Sequence, residues 1–136
     1  MRFAKVVFTV AGVWGVLVLT PLYFMFDAVG RWYPPAVTHP DVYYGFVGVA
    51  LVWQIAFLVI SRDPRRYRPL MLVAALEKFV YVSTLGALYA GRRLAFPQFT
   101  PAVPDLTLGC LFVAAFFKTS APQARLAAMR ADEHAA

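Results

Sequence analysis

Two adjacent ionisable residues, Glu77 and Lys78, occur within a stretch that is otherwise apolar and long enough to cross a membrane. Charged groups at the centre of a bilayer cost about 2.5–3.5 kcal/mol each on insertion scales, so they usually face protein or water and mark a function. Little else in the chain offers chemistry. Glu77 is therefore the residue around which we predict a ligand-binding or proton-binding site.

The depth of Glu77 in its helix can be estimated by counting residues. At about 1.5 Å per residue, Glu77 lies about 12 Å beyond Pro69, and Gln54 lies about 10 Å from Ser61 at the end of the preceding helix. Tyr81, four residues after Glu77, falls on the same helical face. The sequence therefore predicts a small polar pocket about a third of the way into the membrane. The predicted ligand-binding residues are Glu77, Lys78, Gln54, Tyr81 and Trp14.

A second interpretation of the same residues is structural. Glu77, Gln54 and Tyr81 could join two helices through hydrogen bonds worth about 0.6–2 kcal/mol each. Lys78 would then extend its ammonium group toward the cytoplasmic headgroups. The protonation state of Glu77 is also open. A protonated carboxyl would donate to Gln54, whereas an ionised one would pair with Lys78, although successive helical residues diverge by about 100°.

The outer face of the predicted bundle offers a possible metal-ligand set, since imidazole and carboxylate groups bind divalent cations. Its members are His39, Asp27, Asp41 and Asp105. Asp41 and Asp105, however, are explained as helix-start residues, where a negative charge interacts favourably with the helix dipole. We therefore predict no metal site.

Motifs for catalysis are missing from the sequence. Cys110 is the only cysteine, so neither a disulfide within the chain nor a thiolate cluster can form, and we expect Cys110 to be a packing residue. The chain contains no glycine-rich phosphate loop, no nucleophile elbow and no basic-aromatic RNA-binding motif. We expect no catalytic residue, no cofactor and no enzymatic activity.

The composition is that of a membrane protein. Hydrophobic residues make up 61% of the 136 residues and charged residues 15%, against roughly 45–50% and 25% in soluble domains. A membrane span needs about 17–25 apolar residues, which predicts helices at residues 6–26, 41–61, 69–91 and 102–118. We predict an all-α, integral membrane four-helix bundle as a single domain over residues 1–120, followed by a cytoplasmic tail, residues 121–136.

The positive charge is distributed as in a multi-pass protein. The formal net charge is +6. With four spans, nine basic residues fall on one side and three on the other, so the positive-inside rule predicts that both termini are cytoplasmic. The basic balance thus indicates topology and contact with membrane lipids, and no nucleic acid is expected. The nine are Arg2, Lys5, Arg62, Arg65, Arg66, Arg68, Lys118, Arg125 and Arg130.

The region from His39 to Lys78 resembles a group of small bacterial four-span membrane proteins that are loosely similar to the DoxX-like families. The resemblance lies in His39-Pro40, residues 43–50, Gln54, Arg62-Asp63-Pro64, residues 67–71 and Leu76-Glu77-Lys78. It implies a location in the bacterial inner membrane and a four-helix bundle, and it assigns no catalytic residue. Some DoxX-like proteins are associated with quinone-linked oxidation or with redox and stress-response complexes.

These observations predict a non-enzymatic membrane protein that binds a small hydrophobic molecule, of lipid or quinone size, around Glu77. One alternative is a structural subunit of a larger membrane complex or a homo-oligomer, because small residues permit close helix contact. The small-residue pairs are Ala11 and Gly15, Gly45 and Val49, and Ala87 and Gly91. Another alternative is a proton-coupled transporter that uses Glu77 and would need at least a dimer.

Overall fold

The computed structural model describes residues 1–119, which are helical throughout apart from short connections. The elements are α1 (Arg2–Leu19), continued by a 3-10 segment (Thr20–Phe24), then α2 (Phe26–Trp32), α3 (Pro40–Arg62), α4 (Arg68–Ala90), α5 (Phe96–Phe99) and α6 (Ala102–Lys118). No strand occurs within residues 1–119. The predicted tail, residues 121–136, lies outside the described residues.

Four helical stretches are long and apolar enough to cross a membrane. They are Arg2–Phe24, Pro40–Arg62, Arg68–Ala90 and Phe96–Lys118. In lipid, a helix is favoured because it satisfies every backbone polar group within one segment. The predicted all-α four-helix bundle is therefore confirmed, and the predicted helix bounds differ from the observed ones by a few residues.

Prolines interrupt the helix at the end of the bundle away from the α3–α4 turn. The first span changes from α-helix to 3-10 helix at Thr20-Pro21, where proline lacks the N–H needed for the α-helical hydrogen bond. The fourth span is built from α5 and α6, and Pro101 serves as the N-cap of α6. Because α5 and its link precede α6, Asp105 is the tenth of the 23 residues in the span Phe96–Lys118.

Close helix contact is confined to particular pairs. α1 packs against α3 and α6, and α4 packs against α6. α3 and α4 share few contacts, although only a short turn connects them. The order around the bundle is thus α3, α1, α6, α4, with a gap between the first and the last.

Glycines allow the two tightest pairs to form. A Cβ at Gly12 of α1 would lie 2.7 Å from Leu58 Cγ and 2.9 Å from the backbone oxygen of Gln54 on α3. A Cβ at Gly109 of α6 would lie 2.9 Å from Phe79 Cε1 on α4. These distances are shorter than ordinary van der Waals contact, so both helix pairs depend on the missing side chains.

An aromatic core fills the half of the bundle nearest the α3–α4 turn. Phe8 stacks on Phe112 with ring centroids 4.3 Å apart, and Phe57 meets Phe112 edge-on at 4.9 Å. All three rings are fully buried. Small and aliphatic residues surround them, namely Ala4, Ala11, Ile60, Met71, Ala74, Ala75 and Ala115. At the opposite end of the bundle Tyr23, Phe26, Tyr43 and Tyr44 contact one another, but none of these rings is buried.

Basic residues surround the half of the bundle that the aromatic core fills, which we call the closed half. Arg68 donates from Nε to the Phe116 carbonyl oxygen at 3.3 Å, and its guanidinium lies 3.7 Å from the centroid of the Phe116 ring. Lys118 Nζ lies 4.2 Å from the Phe3 ring centroid, which brings the start of α1 and the end of α6 together. Asp63 closes the α3–α4 turn by accepting a hydrogen bond from Arg66 N at 3.2 Å.

Candidate ligand-binding cavity

A cavity of about 410 Å³ occupies the half of the bundle that the aromatic core leaves unfilled. All five sequence-predicted residues line it, namely Trp14, Gln54, Glu77, Lys78 and Tyr81. Its walls are mainly apolar and include Val18, Phe46 and Leu108. Val29 of α2 and Gln98 of α5 also line it, so the cavity extends toward the end of the bundle away from the α3–α4 turn.

Lys78 lies at the floor of this cavity and is only 5% exposed. Its Nζ is 3.3 Å from Glu77 Oε2 and 3.3 Å from Asp105 Oδ1. The same Nζ lies 5.4 Å from the centroid of the Phe57 ring, at the border with the aromatic core. The side chains of Glu77 and Asp105 are partly buried, at 22% and 19% exposure. We call Glu77, Lys78 and Asp105 the buried ionic cluster, after its buried ammonium group.

The expectation that Lys78 extends toward the headgroups is therefore wrong. Glycine at position 109 lets α6 approach α4 so closely that a Cβ there would lie 3.3 Å from Lys78 Cβ. This approach brings Asp105, one helical turn before Gly109, within reach of the ammonium group. Two carboxylates inside the protein replace the headgroups as partners of Lys78.

Asp105 is the member of the cluster that sequence reasoning missed. The prediction that Asp105 is a helix-start residue is confirmed, since it lies in the first turn of α6. The candidate span begins earlier, however, at Phe96, so Asp105 also lies near the middle of that span and within reach of Lys78. Counting residues from the basic end of each helix could have indicated that Asp105 and Lys78 lie at similar depths. Asp105 lies 13 residues before Lys118, or about 20 Å, and Lys78 lies ten residues after Arg68, or about 15 Å. The two depths differ by about one helical turn.

Gln54 has a role in helix packing as well as lining the cavity. Its Nε2 donates to the Ala50 carbonyl oxygen at 2.9 Å, and its side chain lies against Gly15, where a Cβ would collide with it. Glu77 Oε2 is buried and has no hydrogen-bond partner among the described residues. The predicted hydrogen bond from a protonated Glu77 to Gln54 is therefore not formed through this oxygen.

Tyr81 closes part of the gap between α3 and α4. Its ring stacks on Phe46 with centroids 6.0 Å apart and an interplanar angle of 23°. Trp14 lines the cavity from α1 and is 58% exposed. The aromatic residues thus form the sides of the cavity, and the buried ionic cluster forms its floor.

The four residues considered above as metal ligands do not lie together in one group. Asp105 pairs with Lys78, whereas His39, Asp27 and Asp41 are exposed. Among residues 1–119, no group of three or more His, Cys, Asp or Glu side chains could hold a metal ion.

Cys110, expected to pack inside the bundle, is exposed. The buried stripe of α6 runs through Ala102, Gly109, Phe112 and Ala115. A step of one residue from Gly109 turns the side chain by about 100°. Cys110 therefore points away from the cavity and takes no part in the site.

Comparison with protein-family models, with curated proteins and with solved structures found no match to this chain. The arrangement of the site itself therefore carries the functional argument. The class that fold and composition support is a multi-pass helical protein with four helices able to span a membrane.

Proposed function

We propose that this protein is a non-enzymatic membrane protein that binds a small lipophilic molecule in the cavity between its helices. The ligand places its polar group at Glu77, Lys78 and Asp105 and its apolar part against the walls. One observation carries the proposal: a cavity of about 410 Å³ with mainly apolar walls ends on a buried ionic cluster. Small-molecule sites are typically concave, about 300–1,000 Å³ in volume, and mostly apolar with a few convergent polar groups.

The position of the cluster favours binding over helix packing. The α1–α3 and α4–α6 pairs are already held by close approach at Gly12 and Gly109. The ion pair of Lys78 with Asp105 also joins α4 to α6. All three residues of the cluster nevertheless line the cavity as well. Burying polar groups without complete partners costs free energy. A ligand that completes those partners explains why such groups are present at this depth.

The charge distribution supports a proposed orientation of the bundle in the membrane. Seven of the basic residues predicted to be cytoplasmic lie in the described part of the chain, at the closed end of the bundle: Arg2, Lys5, Arg62, Arg65, Arg66, Arg68 and Lys118. The positive-inside rule supports placing that end in the cytoplasm. In the bacterial inner membrane, to which the DoxX-like resemblance points, the cavity would then extend toward the periplasmic side. A ligand of lipid or quinone size could reach it from the bilayer.

The subunit alternative rests on fewer surfaces than the sequence suggested. Ala11 and Gly15 are buried against other helices of the same chain. Gly45, by contrast, has nothing within 4 Å of a built Cβ, and Val49 one turn later is 64% exposed. Ala87 and Gly91 at the end of α4 are exposed as well. These faces of α3 and α4 would be the contacts for a second membrane protein or a second copy.

The test is native mass spectrometry of protein released gently from membranes, comparing wild type with Ala50→Trp and Val49→Trp. Ala50 lines the cavity, whereas its neighbour Val49 faces outward. We expect a bound small molecule in wild type and in Val49→Trp, and its loss in Ala50→Trp. A ligand that survives Ala50→Trp, or its absence from wild type, contradicts the proposal. A stoichiometric protein partner without a small molecule would support the subunit alternative.

A further inference from the structure

We infer that the ligand is a lipophilic amine, bound through its ammonium group to the buried ionic cluster; this rests on the proposed function. The cluster contains two carboxylates and one ammonium group. With all three ionised, its formal charge is −1. An unbalanced charge in a low-dielectric cavity is costly, and a second cation would balance it.

No other cation can supply the balance from within the described part of the chain. Lys78 is the one basic residue among those that line the cavity. Arg68 and Lys118 lie at the opposite end of the bundle from the cavity mouth. Arg31, Arg92 and Arg93 lie at the mouth end, but none of them lines the cavity. Arg68 is itself engaged by Phe116. Within the described residues no further side chain supplies the second positive charge, and the ammonium group of a ligand would supply it.

The hydrogen-bonding groups of the cluster also favour a donor. Glu77 Oε2 is buried and is ion-paired with Lys78 Nζ at 3.3 Å, and it has no further donor among the described residues. Lys78 already faces two carboxylates with its three N–H groups. A ligand that offers only acceptors, such as a quinone carbonyl, would compete with those carboxylates for the same donors. An ammonium N–H would instead supply what the Glu77 carboxylate lacks.

The walls support the same class of ligand. Trp14, Tyr33, Phe46 and Tyr81 all line the cavity. The faces of aromatic rings attract a cation, with tryptophan the strongest. A carboxylic acid of the same size would gain nothing from these faces and would be repelled by Glu77 and Asp105. The aliphatic part of an amine would contact Val18 and Leu108.

The test uses three probes of eight carbon atoms each, namely octylamine, octanol and octanoate, below their micellar concentrations. Binding to the full-length protein in a neutral maltoside detergent is measured by microscale thermophoresis at pH 7. We expect octylamine to bind at least about tenfold more tightly than octanol, since a hydrogen bond between charged groups is stronger than one to a neutral hydroxyl. Octanoate should bind more weakly than either.

Matched variants test which residues cause the preference for octylamine over octanol. Glu77→Gln and Asp105→Asn each remove one negative charge and should abolish the preference for octylamine over octanol. Asp41→Asn, at an exposed carboxylate outside the cavity, should leave it unchanged. If wild type binds octanol or octanoate as tightly as octylamine, the inference is wrong, and this comparison needs no variant to fold. If wild type shows no preference for octylamine but its native ligand is lost in Ala50→Trp, only the assignment of an amine is wrong. If Ala50→Trp changes the binding of no ligand, the cavity is not a binding site.

Discussion

Lys78 is the residue on which the site depends most directly. It is almost fully buried and faces two carboxylates, an aromatic ring and the backbone of a neighbouring helix near Gly109. A buried ion pair is weak evidence for net stability, but removing one partner leaves an uncompensated charge. Lys78 should therefore be sensitive to substitution in a way that surface lysines are not.

Replacement of Lys78 by methionine should destabilise the protein by about 3–5 kcal/mol, because Glu77 and Asp105 would remain without their counter-ion. The measurement is the free energy of unfolding from titration with a denaturing detergent. Lys5→Met, at an exposed position of α1, is the matched control and should change little. Equal stabilities of the two variants would show that the ionic cluster is not coupled to folding.

A triple variant separates the loss of charge balance from the loss of packing. Adding Glu77→Gln and Asp105→Asn to Lys78→Met removes every charge of the cluster. Most of the lost free energy of unfolding should return, since a fully neutral set leaves no unpaired ion. No recovery would assign the effect of Lys78→Met to packing against Phe57 and Gly109.

At the scale of elements, the bundle consists of two close helix pairs that diverge around the cavity. In membranes, small residues allow such close approach, because apolar side chains alone give no advantage over lipid tails. Gly12 serves the α1–α3 pair and Gly109 the α4–α6 pair. Gly86, by contrast, has open space where its Cβ would be.

Gly12→Ala should cost about 1–3 kcal/mol, because the new methyl group would overlap Leu58 and the backbone of Gln54. Gly86→Ala should be neutral or stabilising by up to about 1 kcal/mol, since glycine weakens a helix relative to alanine. Unfolding free energies of the two variants make the comparison. A Gly12→Ala variant as stable as Gly86→Ala would mean that the α1–α3 contact is not limiting.

The stacked pair of Phe46 and Tyr81 links α3 and α4 where these helices otherwise separate. A double-mutant cycle with Phe46→Ala and Tyr81→Ala should give a coupling free energy of about 0.5–1.5 kcal/mol, the usual range for aromatic pairs. Additive single effects would indicate that the rings contact each other without stabilising the bundle. Phe46 with Val59, an exposed residue nearer the other end of α3, is the control pair for additivity.

The whole molecule has a closed, basic half and an open half that contains the cavity. Aromatic packing around Phe112 fills the closed half. In the open half the backbone is irregular at Pro21 and Pro101. Irregular backbone at membrane depth is tolerated where it is buried in protein or lines a cavity. The distribution of basic side chains predicts which half faces the cytoplasm.

Cysteine labelling tests that orientation. In a Cys110→Ala background, Arg65→Cys should be protected from a membrane-impermeant maleimide in spheroplasts and labelled after lysis. Ala95→Cys, at the opposite end of the bundle, should be labelled in both conditions. The reverse pattern would place the cavity mouth on the cytoplasmic side and would contradict the predicted location of both termini.

Hydropathy and charge determined the helices of this protein, because a segment in lipid must satisfy its own backbone and must be apolar over the thickness of the membrane. The bounds of α6 and the depth of Glu77 could therefore be predicted by counting residues. The five predicted lining residues also lie around one cavity, since depth and helical face already brought them to a similar level.

Only the tertiary structure decided how the helices pair and which charges meet. The weak contact of α3 with α4 could not be predicted from the short turn between them, since pairing depends on local fit at positions such as Gly12 and Gly109. Asp105 became a partner of Lys78 because α5 extends the fourth span and Gly109 brings α6 close. Hydropathy indicates how deep a residue lies in the membrane, whereas the shapes of the side chains determine which residues it contacts.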